Sequence, residues 1–150
     1  REFGFNALLS LRLEKGFGIW SAEFTQGYTP GMTGMDRWID WEKDQFIGQS
    51  AAVKERDGNG PSHKLVMLEV EASDADASGY EPVWNNNNLV GFVTSGGYGH
   101  TVNKSLAMAL INSDLAQEDQ NLKVHVVGVE KDAKVIQMSP YDPEGSVMRV

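Results

Sequence analysis

The segment Pro82-Val83-Trp84-Asn85-Asn86-Asn87-Asn88-Leu89-Val90-Gly91-Phe92-Val93-Thr94 decides the fold class. Two apolar runs flank four asparagines, and asparagine tolerates the positive φ that a tight turn demands. The segment therefore predicts an antiparallel hairpin. Similar signals lie on either side of it. Val66, Leu68 and Val70 alternate with Met67 and Glu69, a strand with one buried face. Leu106, Met108 and Leu110 alternate with Ala107, Ala109 and Ile111. Val124 to Val129 and Ala133 to Ile136 flank Glu130-Lys131-Asp132, which reads as the turn of a second hairpin. About six short strands separated by turn residues predict a small antiparallel barrel or sandwich.

Upstream the pattern changes. Asp57-Gly58-Asn59-Gly60-Pro61 is the clearest boundary in the chain, and Gly48 to Arg56 before it reads as a short surface helix. Trp38 and Trp41 fall among charged residues from Met35 to Glu42, which suits a partly buried strand or short helix. Phe17 to Pro30 reads as short extended pieces with a turn, and Tyr28-Thr29-Pro30-Gly31 is a strong turn signal.

The first element is a helix through Phe5-Asn6-Ala7-Leu8-Leu9-Ser10-Leu11-Arg12-Leu13-Glu14, ended by Lys15-Gly16. Its wheel places Phe5, Leu8, Leu9 and Leu13 on one face with Arg12 in the middle. A guanidinium keeps its charge in a protein, so burying it demands an anion. Either the chain supplies a carboxylate or the fork meets a ligand. Trp20, shortly after the helix, is either a stacking face near Arg12 or a core tryptophan.

Composition narrows the function classes. Of 150 residues, 41% are hydrophobic and 23% charged, a core-forming balance. The net charge of −8 is the wrong sign for phosphate-backbone binding and for docking on anionic membranes. Without cysteine there is neither a disulfide nor a thiolate metal site, which fits a reducing compartment. A cytoplasmic location, or an organelle matrix in a eukaryote, is expected. Position 1 is arginine although the chain holds 6 methionines, so it reads as an excerpt of a longer polypeptide.

Little local chemistry stands out. Ser95-Gly96-Gly97-Tyr98-Gly99-His100-Thr101 suits either a cavity wall or a tight connection at a barrel corner. It lacks phosphate-loop spacing. His63, His100 and His125 have no ligand spacing, and no metal site is expected. His125 reads as a strand-face residue. Asp36, Asp40 and Asp44 read as a solvated face. Ser10 and Ser95 show no local base, so no catalytic constellation is expected within the chain.

Ser10-Leu11-Arg12-Leu13-Glu14-Lys15-Gly16 with Trp20 eight residues after Arg12 resembles a segment of the glycine cleavage T-protein (aminomethyltransferase) family. Thr29-Pro30, Phe46-Ile47-Gly48-Gln49, Glu81-Pro82-Val83-Trp84, Val90 to Thr101 and Ser139-Pro140-Tyr141-Asp142-Pro143 follow in the family's order. Trp20, the Tyr98-Gly99-His100-Thr101 run and the Tyr-Asp-Pro tail are most similar to the T-protein-like ends of sarcosine and dimethylglycine dehydrogenases.

The resemblance implies a mainly β fold with few helices. Residues 1–60 would be the tail of a folate-binding module, built of a helix, short strands and a surface helix. Residues 61–150 would be the C-terminal antiparallel barrel that closes one side of the folate cavity. It implies Arg12 and Trp20 as folate-binding residues, with Tyr98 and His100 as candidate cavity-lining residues. Tetrahydrofolate is the implied one-carbon acceptor, and a methylated amine the implied substrate. FAD would belong to an upstream domain of a dehydrogenase parent. The catalytic aspartate and most pterin contacts would also lie upstream, so the fragment alone is expected to be inactive. The family's small-Gly-x-Asp after the aromatic is here Trp20-Ser21-Ala22-Glu23, one carbon longer at its carboxylate. Asn103-Lys104-Ser105 replaces a glycine-containing turn. Rival readings are a non-catalytic scaffold barrel, a sulfonium demethylase, or a folate protein of RNA modification or iron–sulfur maintenance.

Overall fold

A computed structural model describes residues 2–149. Arg1 and Val150, the outer ends of the two expected units, lie outside them. Three helices come first: α1 (Phe5–Glu14), α2 (Pro30–Thr33) and α3 (Gln49–Asp57). Six strands follow: β1 (His63–Val70), β2 (Pro82–Asn85), β3 (Asn88–Gly99), β4 (Lys104–Asn112), β5 (Asn121–Val126) and β6 (Val129–Ile136). They close into an antiparallel barrel in the order β1-β4-β3-β2-β5-β6, with β6 returning to β1. Closure leaves no sheet edge to protect.

The alternation read from the sequence points side chains into the barrel. Val66, Leu68 and Val70 meet Val83, Val93, Ala107, Ala109, Ile111, Val124 and Val135 there. The small alanines of β4 suit the narrow interior of a six-stranded barrel. Met67, Leu106 and Met108 point outward, yet they are as buried as their neighbours. Leu13 of α1 packs on them in a second cluster outside the barrel. Helix α1 thus covers the outer face of β3 and β4 and joins the first part of the chain to the barrel.

Three expectations need correcting. The stripe on α1 is buried only at its C-terminal end: Phe5 and Leu8 are exposed, whereas Arg12 and Leu13 are buried as expected, together with Glu14 from outside the stripe. The helix meets the barrel through its last turn, which is ringed by other segments, so three consecutive residues are covered. Residues 17–30 contain no strand. The Ile19 carbonyl instead gathers the N–H groups of Ala22, Glu23 and Phe24 into a tight turn, and Thr29 caps α2 by accepting from the Met32 N–H at 3.2 Å. The second hairpin turns at Val127-Gly128, not at Glu130-Lys131-Asp132, because Val126 pairs with Val129.

That turn carries a testable cost. Val127 has φ +49° and Gly128 φ +78°, a two-residue turn with both centres left-handed. A β-branched residue is strained there, and Val127 is exposed, so its side chain contributes little burial in return. Val127→Asn is expected to raise stability by about 1 kcal/mol. Thermal denaturation checks this, and a lowered midpoint would contradict it.

Other expectations hold. The Asn86-Asn87 turn joins β2 to β3, with Asn86 at φ +54°. Helix α3 begins after Gly48 as expected. Asp36-Arg37-Trp38 forms a short 3-10 helix, although Trp38 is exposed and not partly buried. His125 stacks on Trp84 on the face of β5 and β2, with centroids 5.5 Å apart.

Candidate functional site

Arg12, Glu23 and Ser95 come from three separated segments and meet beneath α1. The end of the helix is fixed first. Lys15 caps it and Gly16 is left-handed at φ +66°; the Gly16 N–H donates to the Leu13 carbonyl and the Phe17 N–H to the Arg12 carbonyl, both at 2.9 Å. This 6→1 and 5→2 pair is a Schellman motif. It turns the chain back under the helix, so the Ile19–Phe24 turn lies below Arg12.

Glu23 is fully buried and Arg12 is 8% exposed. Arg12 Nη1 donates to Glu23 Oε2 at 3.3 Å and to the Phe17 carbonyl at 3.2 Å. It also lies 3.8 Å from the sulfur of Met108. Glu23 Oε2 accepts the Ile19 N–H at 2.8 Å, and Glu23 Oε1 accepts the Ser95 hydroxyl. Burial pushes the Arg12 pKa down, partly offset by the charge and hydrogen bond of Glu23. The group stays cationic, because even a lowered guanidinium pKa is far above neutrality. The chain therefore supplies the carboxylate. One fully buried donor is left over: Arg12 Nε has no hydrogen-bond partner among the described residues. That is an unmet demand of about 1–3 kcal/mol in a buried site.

Neighbouring groups stiffen this junction. Glu14 is buried and accepts the N–H groups of Thr101 and Val102 at 2.5 and 3.1 Å, pinning the β3–β4 turn to the helix. The Glu14 carbonyl accepts the Tyr141 N–H at 2.9 Å, and Lys15 Nζ reaches the Asp142 carbonyl at 2.5 Å. Hydrogen bonding from the Ser146 hydroxyl, and then from Lys15, holds the Asp142 carboxyl below its ordinary pKa.

Trp20 sits on the same turn as Glu23 but faces outward, 83% exposed. It meets Phe24 edge to face at 5.8 Å. With Gly18, Tyr28, Thr33 and Met35 these rings line an open, largely apolar groove of about 430 Å³. Burial raises the Tyr28 phenol above its ordinary pKa, so it stays a neutral donor at the groove. Arg12 and Trp20 thus approach one turn from opposite sides.

Tyr98 and His100 are not brought to that groove. Their rings meet edge to face at 5.1 Å, and Tyr98 lines a different groove at one end of the barrel. The glycine run before them is not a loop, since Ser95 to Gly99 continue β3 and pair with β4. A Cβ on Gly96 would lie 2.3 Å from the Ala77 carbonyl oxygen, so this glycine admits another part of the backbone. Among the described residues no cluster of acidic or histidine side chains is placed to hold a metal ion. Sequence reasoning did not assign Glu23 and Ser95 to the site. The available signal was a lone acidic residue just after Trp20, in a segment otherwise free of charge from Gly16 to Met35.

No helix of the described residues is long and apolar enough to cross a membrane. Comparison with known proteins gives the same picture as the fold. Residues 63–142 match the glycine cleavage T-protein C-terminal barrel domain model. Human mitochondrial dimethylglycine dehydrogenase is 35% identical over 137 residues, covering 91% of this chain and 16% of that protein. The aminomethyltransferase of Synechocystis sp. is 32% identical over 142 residues, covering 94% of this chain and 38% of that protein. The crystal structure of glycine cleavage system aminomethyltransferase T from Bartonella henselae superimposes with a TM-score of 0.84 at 26% identity, covering 93% of this chain and 39% of that one. The chain therefore spans well under half the length of these relatives. By the barrel, its matched residues and these relatives, the chain belongs to the glycine cleavage T-protein C-terminal barrel family.

Proposed function

We propose that this chain is the C-terminal part of a tetrahydrofolate-dependent aminomethyltransferase module in a parent enzyme of the sarcosine or dimethylglycine dehydrogenase type. Residues 1–60 complete the folate-binding module and residues 61–150 are the barrel that closes one side of its cavity. Tetrahydrofolate accepts the one-carbon unit and leaves as 5,10-methylenetetrahydrofolate. The methylated amine is oxidised elsewhere in the parent, by an upstream domain that holds FAD. An organelle matrix is the location in keeping with the mitochondrial relatives.

The observation that carries the reading is an incompletely satisfied buried arginine of α1 on one side of the Ile19–Phe24 turn and an exposed tryptophan on its other side. A pterin-like heterocycle presents hydrogen-bonding edges and a flat apolar face, which a guanidinium and an indole respectively complement. Arg12 gives a fixed cation, because Glu23 and the Phe17 carbonyl hold its Nη1. Trp20 and Phe24 give an apolar wall that sheds water from the heterocycle. The chain's own role is to bind and orient the acceptor; proton transfer is assigned to upstream residues.

Calorimetric titration of the full-length parent with tetrahydrofolate tests this. Trp20→Ala is expected to weaken binding about tenfold with no change in the melting midpoint, since the indole is exposed. An unchanged affinity would remove Trp20 from the site.

A second reading has one observation in its favour. The ion pair to Glu23 already gives Arg12 a structural partner, as a non-catalytic scaffold barrel would require. No binding of tetrahydrofolate by the full-length protein would select it.

A further inference from the structure

The barrel has a second groove, apart from the one at Trp20, and Tyr98, which the family resemblance implied as cavity-lining, belongs to it. It measures about 460 Å³ and lies where the end of β1 and the start of β4 open toward the segment after β1. Tyr98 of β3 and Val70 of β1 flank Ser105 of β4 in register. Ser105 is 5% exposed, it lines this groove, and its hydroxyl has no hydrogen-bond partner among the described residues. A buried hydroxyl left unpaired costs free energy that a bound polar group would recover.

The rim is acidic. Glu69, Asp74 and Asp76 line the groove, and Lys104 is the cation beside them. Lys104 is tied to Glu69 at 2.6 Å, and Lys131 reaches Asp74 at 2.8 Å. Asp76 is in none of the ion pairs formed among the described residues, and it lines the groove together with Tyr98. The acidic side chains are too dispersed to gather on one metal ion. The volume admits a ligand of several heavy atoms.

We infer that this barrel-end groove binds a small organic ammonium ion, with Asp76 as its counter-charge, Tyr98 as its aromatic wall and the Ser105 hydroxyl as a polar contact. Carboxylate, aromatic face and unpaired hydroxyl together suit an N–H-bearing cation that also carries apolar carbon. An anion is disfavoured by the rim, and a neutral ligand would gain nothing from the charge of Asp76. None of these residues lines the Trp20 groove, so the inference stands apart from the folate reading.

The test uses the full-length protein and n-butylammonium chloride as the probe, with 1-butanol as its neutral counterpart and calcium chloride as a metal control. Saturable binding of the ammonium, followed by calorimetry and by shifts of the Tyr98 ring resonances, is expected. Asp76→Asn and Ser105→Ala should each weaken it about fivefold. Both variants are expected to keep the wild-type melting midpoint, because Asp76 is exposed and Ser105 Oγ has no partner to lose. Equal binding of 1-butanol, tighter binding of calcium, the absence of saturable binding, or an unchanged affinity in Asp76→Asn would each overturn the inference.

Discussion

Glu23→Ala is expected to destabilise the protein by about 3–5 kcal/mol, the cost of leaving a buried charge without its counter-ion. Glu23 is fully buried and answers three donors at once: Arg12 Nη1, the Ile19 N–H and the Ser95 hydroxyl. Removing it strands a guanidinium that cannot neutralise itself by giving up its proton. The damage should spread, because those donors belong to α1, the following turn and β3. Chemical denaturation measures it, and a loss below about 1 kcal/mol would contradict the assignment, since that is the scale of exposed pairs. The double variant Arg12→Met with Glu23→Met should recover much of that loss, because the stranded charge is gone, but not all of it, because the Ile19 N–H and the Ser95 hydroxyl lose their acceptor. Non-additivity of this size is the signature of direct coupling.

Gly16→Ala should cost about 3 kcal/mol, by the sum of left-handed backbone strain and overpacking. Gly16 has φ +66°, and a Cβ there would lie 2.2 Å from the Met138 carbonyl oxygen. That oxygen belongs to the segment running from β6 to the Tyr141 and Asp142 contacts, so the substitution pushes the tail off the helix end. Gly34 is the internal control. It caps α2 at φ +69° with nothing within 4 Å of its Cβ position, so Gly34→Ala should lose only about 1 kcal/mol. Equal losses at the two glycines in urea denaturation would show that the close approach to Met138 contributes nothing.

The barrel was readable because period-two alternation and turn residues are local signals. Val66, Leu68 and Val70 face inward as their spacing indicates, and the Asn86-Asn87 turn sits between the runs it was expected to join. Position along the second hairpin was less readable. Glu130 to Asp132 look like a turn by composition, yet their charges ride on a strand face, where Glu130 pairs with Lys123. Val127 hid the real turn because valine is a poor choice for φ +49°.

The helix was misread for a different reason. Its wheel assumes burial along one stripe, whereas α1 is covered around its last turn by β3, β4, the 17–24 turn and the tail. Such end-on burial depends on contacts remote in sequence. For the same reason Glu23 and Ser95, 72 residues apart, could not be joined by any local pattern. The need of Arg12 for an anion was legible in the sequence; which anion met it was not.

The role of Arg12 is the centre of the account, and its ion pair with Glu23 and its proposed folate contact can be separated. Arg12→Met alone confounds them, because it leaves Glu23 buried without a cation. The Arg12→Met, Glu23→Met double variant of the full-length parent does not. Its calorimetric titration with tetrahydrofolate, at a temperature where denaturation shows it fully folded, is the decisive measurement. An affinity at least about tenfold weaker is predicted, the scale of one lost charge-assisted contact. Wild-type affinity in that folded variant would contradict the account and leave Arg12 as half of an internal ion pair.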